Sequence, residues 1–110
     1  MELGITITPT PERYLIAIAG EIDISNADAL RDRIDLALEQ PTAKVALDFA
    51  GVSYIDSTGI GVLAGAAHRA REAGSSLAVE RPQRNVARVL GLLGVGDELG
   101  LGDASRPGGE

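Results

Sequence analysis

The sequence predicts a single α/β domain built on a mixed sheet of four to five strands with three or more helices. Two observations carry this prediction. The chain begins with two strand patterns. After residue 25, segments in which apolar residues recur at helical spacing alternate with further strand patterns. The first two strand patterns are joined by a short turn, which favours an antiparallel hairpin, whereas later strands are separated by helices and are expected to run parallel. With 110 residues, 45% of them apolar, the chain is long enough to bury one core.

The first two strands are predicted from apolar periodicity and from the turn between them. Leu3, Ile5 and Ile7 alternate with small or polar residues until Pro9 ends the strand. The second strand, residues 14–19, has apolar residues on both faces, which is typical of a central position in the sheet. The first strand is therefore expected at the edge of the sheet.

A first helix and a third strand follow. Ser25, with Asp28 three residues later, resembles a capping box, so the helix is expected to begin after Ser25 and to end before Pro41. Its apolar positions are Ala27, Leu30, Ile34, Ala37 and Leu38. Residues 44–49 then predict a third strand, and residues 51–57 are interpreted as a loop.

The second helix begins where Asp56 can act as its N-cap, with Ser57 and Thr58 in the first turn. Its predicted buried positions are Ile60, Leu63, Ala64, Ala67 and Ala70, and Gly74 ends it. Each glycine inside a helix costs about 1 kcal/mol relative to alanine. Gly59, Gly61 and Gly65 therefore indicate that something approaches this part of the backbone closely, either a partner or the sheet on which the helix packs.

The last predicted elements are a short fourth strand around Leu77 and Val79 and a third helix that starts near Pro82. The buried positions predicted for this helix are Val86, Val89, Leu90 and Leu93. Residues 95–99 could add a final turn or strand. The domain is expected to span residues 1–99, and residues 100–110, which offer almost nothing to bury, are expected to form a disordered tail.

The predicted topology places two polar segments at one edge of the sheet. The loops that leave the carboxyl ends of parallel strands share that edge, where ligands and partners commonly bind. Residues 20–25 and 51–57 are both of this kind. With Thr58, the next residue in the chain, they bring together three acids and two hydroxyls, namely Glu21, Asp23, Asp56, Ser57 and Thr58.

Composition and charge exclude several classes of partner. Sixteen acidic against ten basic residues give a net charge of −6, which disfavours nucleic acid and anionic membranes. The chain has no cysteine, no signal-like N-terminus and no apolar run of membrane-spanning length. A cytoplasmic protein that binds another protein is the expectation.

Catalytic and metal sites find little support in the sequence. His68 lies too far along the predicted helix to activate Ser57, so a hydrolytic triad is not expected. Metal binding by Asp23, Asp48 and Asp56 is conceivable, but nothing in the pattern fixes the required geometry. A phosphate-binding loop is not expected either, because the Gly-Lys-Ser/Thr ending that such a loop requires is missing. The polar residues of this edge could also be only a helix cap and solvated loop acids, and the residue pattern leaves that interpretation open.

Three stretches of the chain resemble a known family. Gly20-Glu21-Ile22-Asp23 before a helix, Leu47-Asp48-Phe49, and Asp56-Ser57-Thr58-Gly59-Ile60-Gly61-Val62-Leu63 are similar to the STAS domain of bacterial anti-sigma-factor antagonists. The resemblance covers residues 3–99. It implies that Ser57, directly after the aspartate, is phosphorylated by an anti-sigma factor that is a serine kinase, and that Asp23 takes part in partner recognition. The implied partner surface comprises Glu21, Asp23, Ser25, Asp56, Ser57, Thr58, Gly59, Ile60 and Gly61.

The resemblance also implies a regulatory protein without cofactor or enzymatic activity, with a phosphoserine phosphatase as second partner. Two other functions stay open at this point. One is a STAS subunit of a lipid-transport ATPase, which absence of Ser57 phosphorylation would favour. The other is a small metal-dependent phosphoacceptor that uses Asp48 or Asp56, which bound magnesium or an acyl-phosphate would favour.

Overall fold

The computed structural model describes residues 3–92, which form four strands and three helices. The elements are β1 (Gly4–Pro9), β2 (Tyr14–Ile22), α1 (Ala27–Leu38), β3 (Lys44–Ile55), α2 (Ser57–Glu72), β4 (Ser76–Glu80) and α3 (Arg84–Leu92). The predicted tail at residues 100–110, the predicted end of the domain near residue 99 and the predicted burial of Leu93 all lie outside the described residues.

The sheet has the order β1-β2-β3-β4. β1 pairs antiparallel with β2, while β2, β3 and β4 are parallel to one another, so the predicted hairpin, the edge position of β1 and the mixed sheet are confirmed. Helices α1 and α2 pack on each other and on the sheet, and α3 packs on β3. The largest fully buried side chains are Phe49, Ile16, Ile22, Leu30, Ile34, Leu47, Leu63, Leu90, Val52 and Val86.

Strands β2 and β3 extend further than their apolar patterns predicted. β3 continues to Ile55, so most of the segment interpreted as a loop after Gly51 is strand. β2 and β3 stay paired over this length because β3 contains two bulges. Ala17 pairs with Asp48 but Ala19 with Gly51, and Gly20 pairs with Val52 but Glu21 with Tyr54. Extra residues in one strand interrupt simple alternation, which is why the pattern appeared to end at residue 49.

The first bulge depends on a residue without a side chain. A Cβ on Gly51 would lie 3.0 Å from the Ala19 Cβ and 3.1 Å from the Ala19 Cα. Gln83 from the segment before α3 donates its Nε2 to the Ala50 carbonyl oxygen (3.0 Å). Asn85 of α3 likewise donates its Nδ2 to the Ser53 carbonyl oxygen at the second bulge (2.9 Å). Both bulges are thus hydrogen-bonded from outside the sheet.

The helices match the prediction except at the start of α1 and at individual core positions. Ser25 is not the N-cap of α1, because the helix begins at Ala27 and Asn26 holds the capping position. In α2 the buried positions include Ala66, while Ala64 is half-buried. In α3 the side chains of Val86 and Leu90 are buried, whereas Val89 is half-buried.

Candidate functional site

The carboxyl ends of β2 and β3 lie side by side at one edge of the sheet. Ile22 pairs with Ile55, and the backbone N–H of Asp56 donates to the Ile22 carbonyl oxygen at 3.0 Å. The loop that starts at Asp23 and the helix that starts at Ser57 therefore leave the sheet from neighbouring points. The two segments that the sequence analysis assigned to one edge are brought together there.

Asp56 caps α2 as the sequence predicts. Its backbone is extended, with φ −99° and ψ −178°, and its carboxylate accepts the Gly59 backbone N–H at 3.0 Å. Ser57 and Thr58 are exposed in the first turn. Within residues 3–92 the backbone N–H groups of both residues lack a hydrogen-bond acceptor, as is usual for the first residues of a helix. An exposed hydroxyl thus lies beside unsatisfied amide donors.

The glycines of α2 differ in what surrounds them. A Cβ on Gly59 would lie 2.6 Å from Ile22 Cγ2 and 2.8 Å from Ile55 Cγ1, so Gly59 lets the helix entrance pack directly on the sheet. Gly61 is exposed, and a Cβ there would meet nothing within 4 Å. Close approach at Gly59 is therefore made by this chain's own isoleucines. Ile60 is buried as well, at 6% exposure.

The loop between β2 and α1 is ordered by hydrogen bonds centred on Asp23. One Asp23 carboxylate oxygen accepts the Ser25 hydroxyl at 2.5 Å and the Ser25 backbone N–H at 2.9 Å. These two bonds, the hydroxyl foremost, hold the pKa of the Asp23 carboxyl below its ordinary value. The two bonds thus favour the carboxylate form of Asp23, and Ser25 serves as its hydrogen-bond donor.

Asn26 organises this loop and was missed by the sequence analysis. Its side-chain oxygen accepts the Asp23 backbone N–H at 2.9 Å, and its side-chain nitrogen donates to the Glu21 carbonyl oxygen at 2.8 Å. Asn26 is 7% exposed. Asparagine is a favoured residue at a helix start, and its place just before the apolar stripe was the available signal.

Asp48 lies on the same strand that leads to Asp56 but in a separate environment. Arg81 donates to its carboxylate through Nη2 and through Nε (3.2 Å), and the Ala50 backbone N–H donates at 3.0 Å. The hydrogen bond from Arg81 is the main cause of a lowered pKa of the Asp48 carboxyl. Arg81 adopts a left-handed backbone, with φ 55°. Across residues 3–92 no three His, Asp or Glu side chains are grouped to hold a metal ion.

Asp48→Asn should destabilise the domain at neutral pH and lose this effect in acid. Folding lowers the pKa of Asp48, so the carboxylate contributes stability above its unfolded pKa of about 3.9, and that contribution is lost as pH falls through the folded pKa. We expect the free energy of unfolding to fall by about 1 kcal/mol at pH 7, because the ion pair is partly solvated. Urea unfolding of both proteins at pH 7, and then in steps toward about pH 2, measures the difference in free energy of unfolding.

The matched control is Asp35→Asn, whose carboxylate pairs with Arg69 at 2.7 Å in an exposed position. That change should cost less than about 0.5 kcal/mol at any pH. A difference between wild type and Asp48→Asn that stayed constant into acid would contradict the assigned role of the carboxylate.

His68 lies on α2 at a distance from the Ser57 hydroxyl. It is exposed, and its Nε2 lies 3.4 Å from a carboxylate oxygen of Glu72 on the same helix. Eleven residues separate it from Ser57, which corresponds to about 16 Å along the helix axis. The histidine is thus not positioned to deprotonate Ser57.

A protein-family model described as "Mlab, STAS domain" matches residues 5–102 of the chain. The chain belongs to the STAS-domain family. Its sequence is also similar to an anti-sigma-B factor antagonist of Bacillus subtilis, at 29% identity over 108 residues, covering 98% of both chains. The family assignment agrees with the resemblance seen in the motifs around Asp23 and Ser57.

Solved structures show the same STAS fold. The anti-sigma factor antagonist SpoIIAA in its unphosphorylated form aligns with a TM-score of 0.73 at 21% identity, over 86% of this chain and 84% of that chain. The Bacillus cell fate determinant SpoIIAA in the phosphorylated form aligns with a TM-score of 0.64 at 23% identity, over 84% of this chain and 85% of that one. Among residues 3–92, no helix has both the length and the apolar character needed to cross a membrane.

Proposed function

We propose that this STAS domain is an anti-sigma-factor antagonist. It binds an anti-sigma factor that is also a serine kinase, releases the sigma factor, and is switched off when that kinase phosphorylates Ser57. The observation that carries the proposal is the exposed Ser57 hydroxyl, directly after the N-cap Asp56, at an edge that also holds Asp23. The names of the relatives, which are antagonists of anti-sigma factors, support the same function.

The helix entrance favours a phosphate on Ser57. The positive end of the α2 dipole and the amides of Ser57 and Thr58 attract an anion, so the modification should leave the helix intact. Phosphorylation adds about −1.5 to −2 charges and considerable bulk. The proposed switch therefore acts on the docking surface and leaves the fold unchanged. One of the similar solved structures is SpoIIAA in a phosphorylated form, which supports a stable modified state for that protein.

The docking surface in this proposal combines the entrance of α2 with the loop between β2 and α1. Glu21 is exposed, Asp23 is anionic, and Asp56 directly precedes the acceptor. Gly61 leaves the first turns of the helix open to close contact, while the buried Gly59 and Ile60 support the surface from beneath. A phosphate on Ser57 would lie close to these acids, and once a docked partner excludes solvent such a like-charge juxtaposition costs several kcal/mol.

The proposed protein is a cytoplasmic regulator without a cofactor or catalytic activity of its own. It needs a second partner, a phosphoserine phosphatase that returns Ser57 to the free hydroxyl. That phosphatase must reach a phosphate on an exposed first turn, which the position of Ser57 permits.

Release of the sigma factor tests the proposal, and Glu21→Lys tests the surface. The unmodified chain, added to a purified anti-sigma–sigma complex of its own organism, should displace the sigma factor. Glu21→Lys reverses an exposed charge beside Asp23, so we expect about tenfold weaker binding, mainly through slower association at low salt. Surface plasmon resonance at two salt concentrations measures both rates.

Two variants complete this test. Glu12→Lys makes the same charge change in the exposed β1–β2 turn, at the opposite end of β2, and should bind within twofold of wild type. Asp23→Asn keeps the acceptor oxygen for Ser25 and removes only the charge, so it should weaken binding without loosening the loop. Failure of the wild-type chain to displace sigma factor would refute the function, and equal weakening by Glu12→Lys would refute the location of the surface.

A further inference from the structure

Tyr54 is turned toward solvent by the second bulge of β3. Phe49, Val52 and Ile55 are buried at intervals of three residues. In a regular strand Tyr54, two residues after Val52, would point to the same face and enter the core. The bulge makes Ser53 the extra residue and pairs Tyr54 with Glu21, so that Tyr54 is 49% exposed. Bulges that re-aim a side chain are common next to functional sites.

Hydrogen bonds hold the backbone on both sides of Tyr54. Asn85 donates to the carbonyl oxygen of the extra residue Ser53, at 2.9 Å, and ties the bulge to α3. On the other side, the neighbouring Glu21 carbonyl oxygen accepts from Asn26 at 2.8 Å. An exposed aromatic ring on a fixed backbone loses little conformational freedom when a partner covers it, which favours binding.

Ile24 is the second exposed apolar side chain at this edge. It is 78% exposed and lies between Asp23 and Ser25, in the loop that their hydrogen bonds and those of Asn26 hold in place. The loop therefore presents a branched apolar side chain to solvent from a fixed turn. Because this apolar surface is exposed in the free protein, its burial by a partner would stabilise the complex.

The distribution of exposed apolar residues is uneven. Among residues 3–92 the exposed large hydrophobic side chains are Ile24, Leu36 and Tyr54. Ile24 follows β2 by two residues and Tyr54 precedes Ser57 by three, whereas Leu36 lies near the carboxyl end of α1. From the start of α1 at Ala27, Leu36 is about 13 Å further along the helix axis. Two of the three thus flank the acidic edge, and the third provides a control.

We propose that Tyr54 and Ile24 are the apolar anchors of the docking surface, and that the anti-sigma factor meets them with an apolar pocket bordered by lysine or arginine side chains. This inference rests on the function proposed above and specifies its partner surface. Buried aromatic and aliphatic anchors supply most of the affinity in protein interfaces, while charges such as Glu21 and Asp23 guide association. A phosphate on Ser57 would then require the partner to desolvate an anion beside an apolar contact.

Binding kinetics of matched variants test the anchors. The probe is the anti-sigma factor kinase from the organism of the chain, purified and immobilised. Ile24→Ser and Tyr54→Thr should each raise Kd at least tenfold, mainly by faster dissociation, and should leave the salt dependence of association unchanged. Leu36→Ser removes another exposed apolar side chain, away from the acidic edge, and should change Kd less than twofold. Tyr54→Phe should bind like wild type, because the ring makes the contact.

The outcomes separate the two proposals. If Glu21→Lys weakens binding while Ile24→Ser and Tyr54→Thr both bind within twofold of wild type, the anchors are wrong and the proposed function stands. If the wild-type chain binds no anti-sigma factor of its organism, both are overturned. If sedimentation shows a wild-type dimer that Ile24→Ser dissociates, the surface joins two copies of the chain and the partner inference is wrong. Ile24→Ser, in an exposed loop, decides the matter even if Tyr54→Thr fails to fold.

Discussion

The cognate serine kinase should incorporate phosphate into the wild-type chain and into Thr58→Ala, and should leave Ser57→Ala unmodified. Both hydroxyls are exposed in the first turn of α2, but only Ser57 directly follows the N-cap Asp56. Phosphate incorporation measured by intact-mass spectrometry distinguishes the variants. Equal labelling of Ser57→Ala and wild type would show that the acceptor lies elsewhere.

The same modification should abolish binding while the fold persists. The α2 entrance offers the phosphate the amides of Ser57 and Thr58 and the positive end of the helix dipole. We therefore expect the thermal midpoint of the phosphorylated chain to equal or exceed that of the free chain. Backbone amide shifts should change near residues 56–63 and in the adjoining loop. Changes throughout β1, β4 and α3 would indicate a conformational switch instead.

Two substitutions of Ser57 separate the effect of added charge on binding from the effect of losing the hydroxyl. Ser57→Asp carries about one negative charge where phosphoserine carries nearly two, and it is smaller, so binding should be weakened and not abolished. Ser57→Ala removes only the hydroxyl and should bind like the unmodified wild type. If Ser57→Ala bound as poorly as the phosphorylated chain, loss of the hydroxyl itself, and not added charge, would explain the switch.

Gly59→Ala should lower the free energy of unfolding by about 1–3 kcal/mol, because its Cβ would overlap two branched side chains of the core. The distances to Ile22 Cγ2 and Ile55 Cγ1 would be 2.6 and 2.8 Å. Neither atom is the end of a flexible side chain, so relief requires movement of the helix away from the sheet. Thermal unfolding should shift down by roughly 5–15 °C.

Gly61→Ala, two residues further along α2, is the matched control. Its Cβ would meet nothing within 4 Å, so the higher helix propensity of alanine should raise stability by about 0.5–1 kcal/mol. A double variant, Gly59→Ala with Ile22→Ala, should be less destabilised than the sum of the single changes, because they share the contact. Equal stability of Gly59→Ala and Gly61→Ala would refute the packing role of Gly59.

Alanine is expected to lower the free energy of unfolding at Gly59 and to raise it at Gly61, a difference that the sequence alone did not predict. Gly59 and Gly61 are both unfavourable in a helix, and together they suggested close approach of either a partner or the sheet. The structure assigns Gly59 to packing against Ile22 and Ile55 and leaves Gly61 open. Helix propensity depends on the residue alone, whereas one of the neighbours that make glycine necessary, Ile22, comes from β2, which is distant in the chain.

The sequence by itself determined the order of the elements, the mixed sheet and the cap of α2. These features depend on local chemistry: apolar periodicity sets strand or helix, and the Asp56 carboxylate reaches an amide only three residues away. Parallel pairing of β2, β3 and β4 followed from the helices between them.

Only the tertiary structure decided the bulges of β3 and the exposure of Tyr54. It also decided that Asn26, and not the predicted Ser25, occupies the N-cap position of α1. The bulges and the exposure of Tyr54 depend on contacts between distant segments, such as Asn85 with the Ser53 carbonyl oxygen. The Asn26 side chain instead bonds locally, to the Asp23 backbone N–H and the Glu21 carbonyl oxygen. A bulge occurs where two strands of unequal length must stay paired, so it is a property of the pair and is not encoded in the periodicity of either strand.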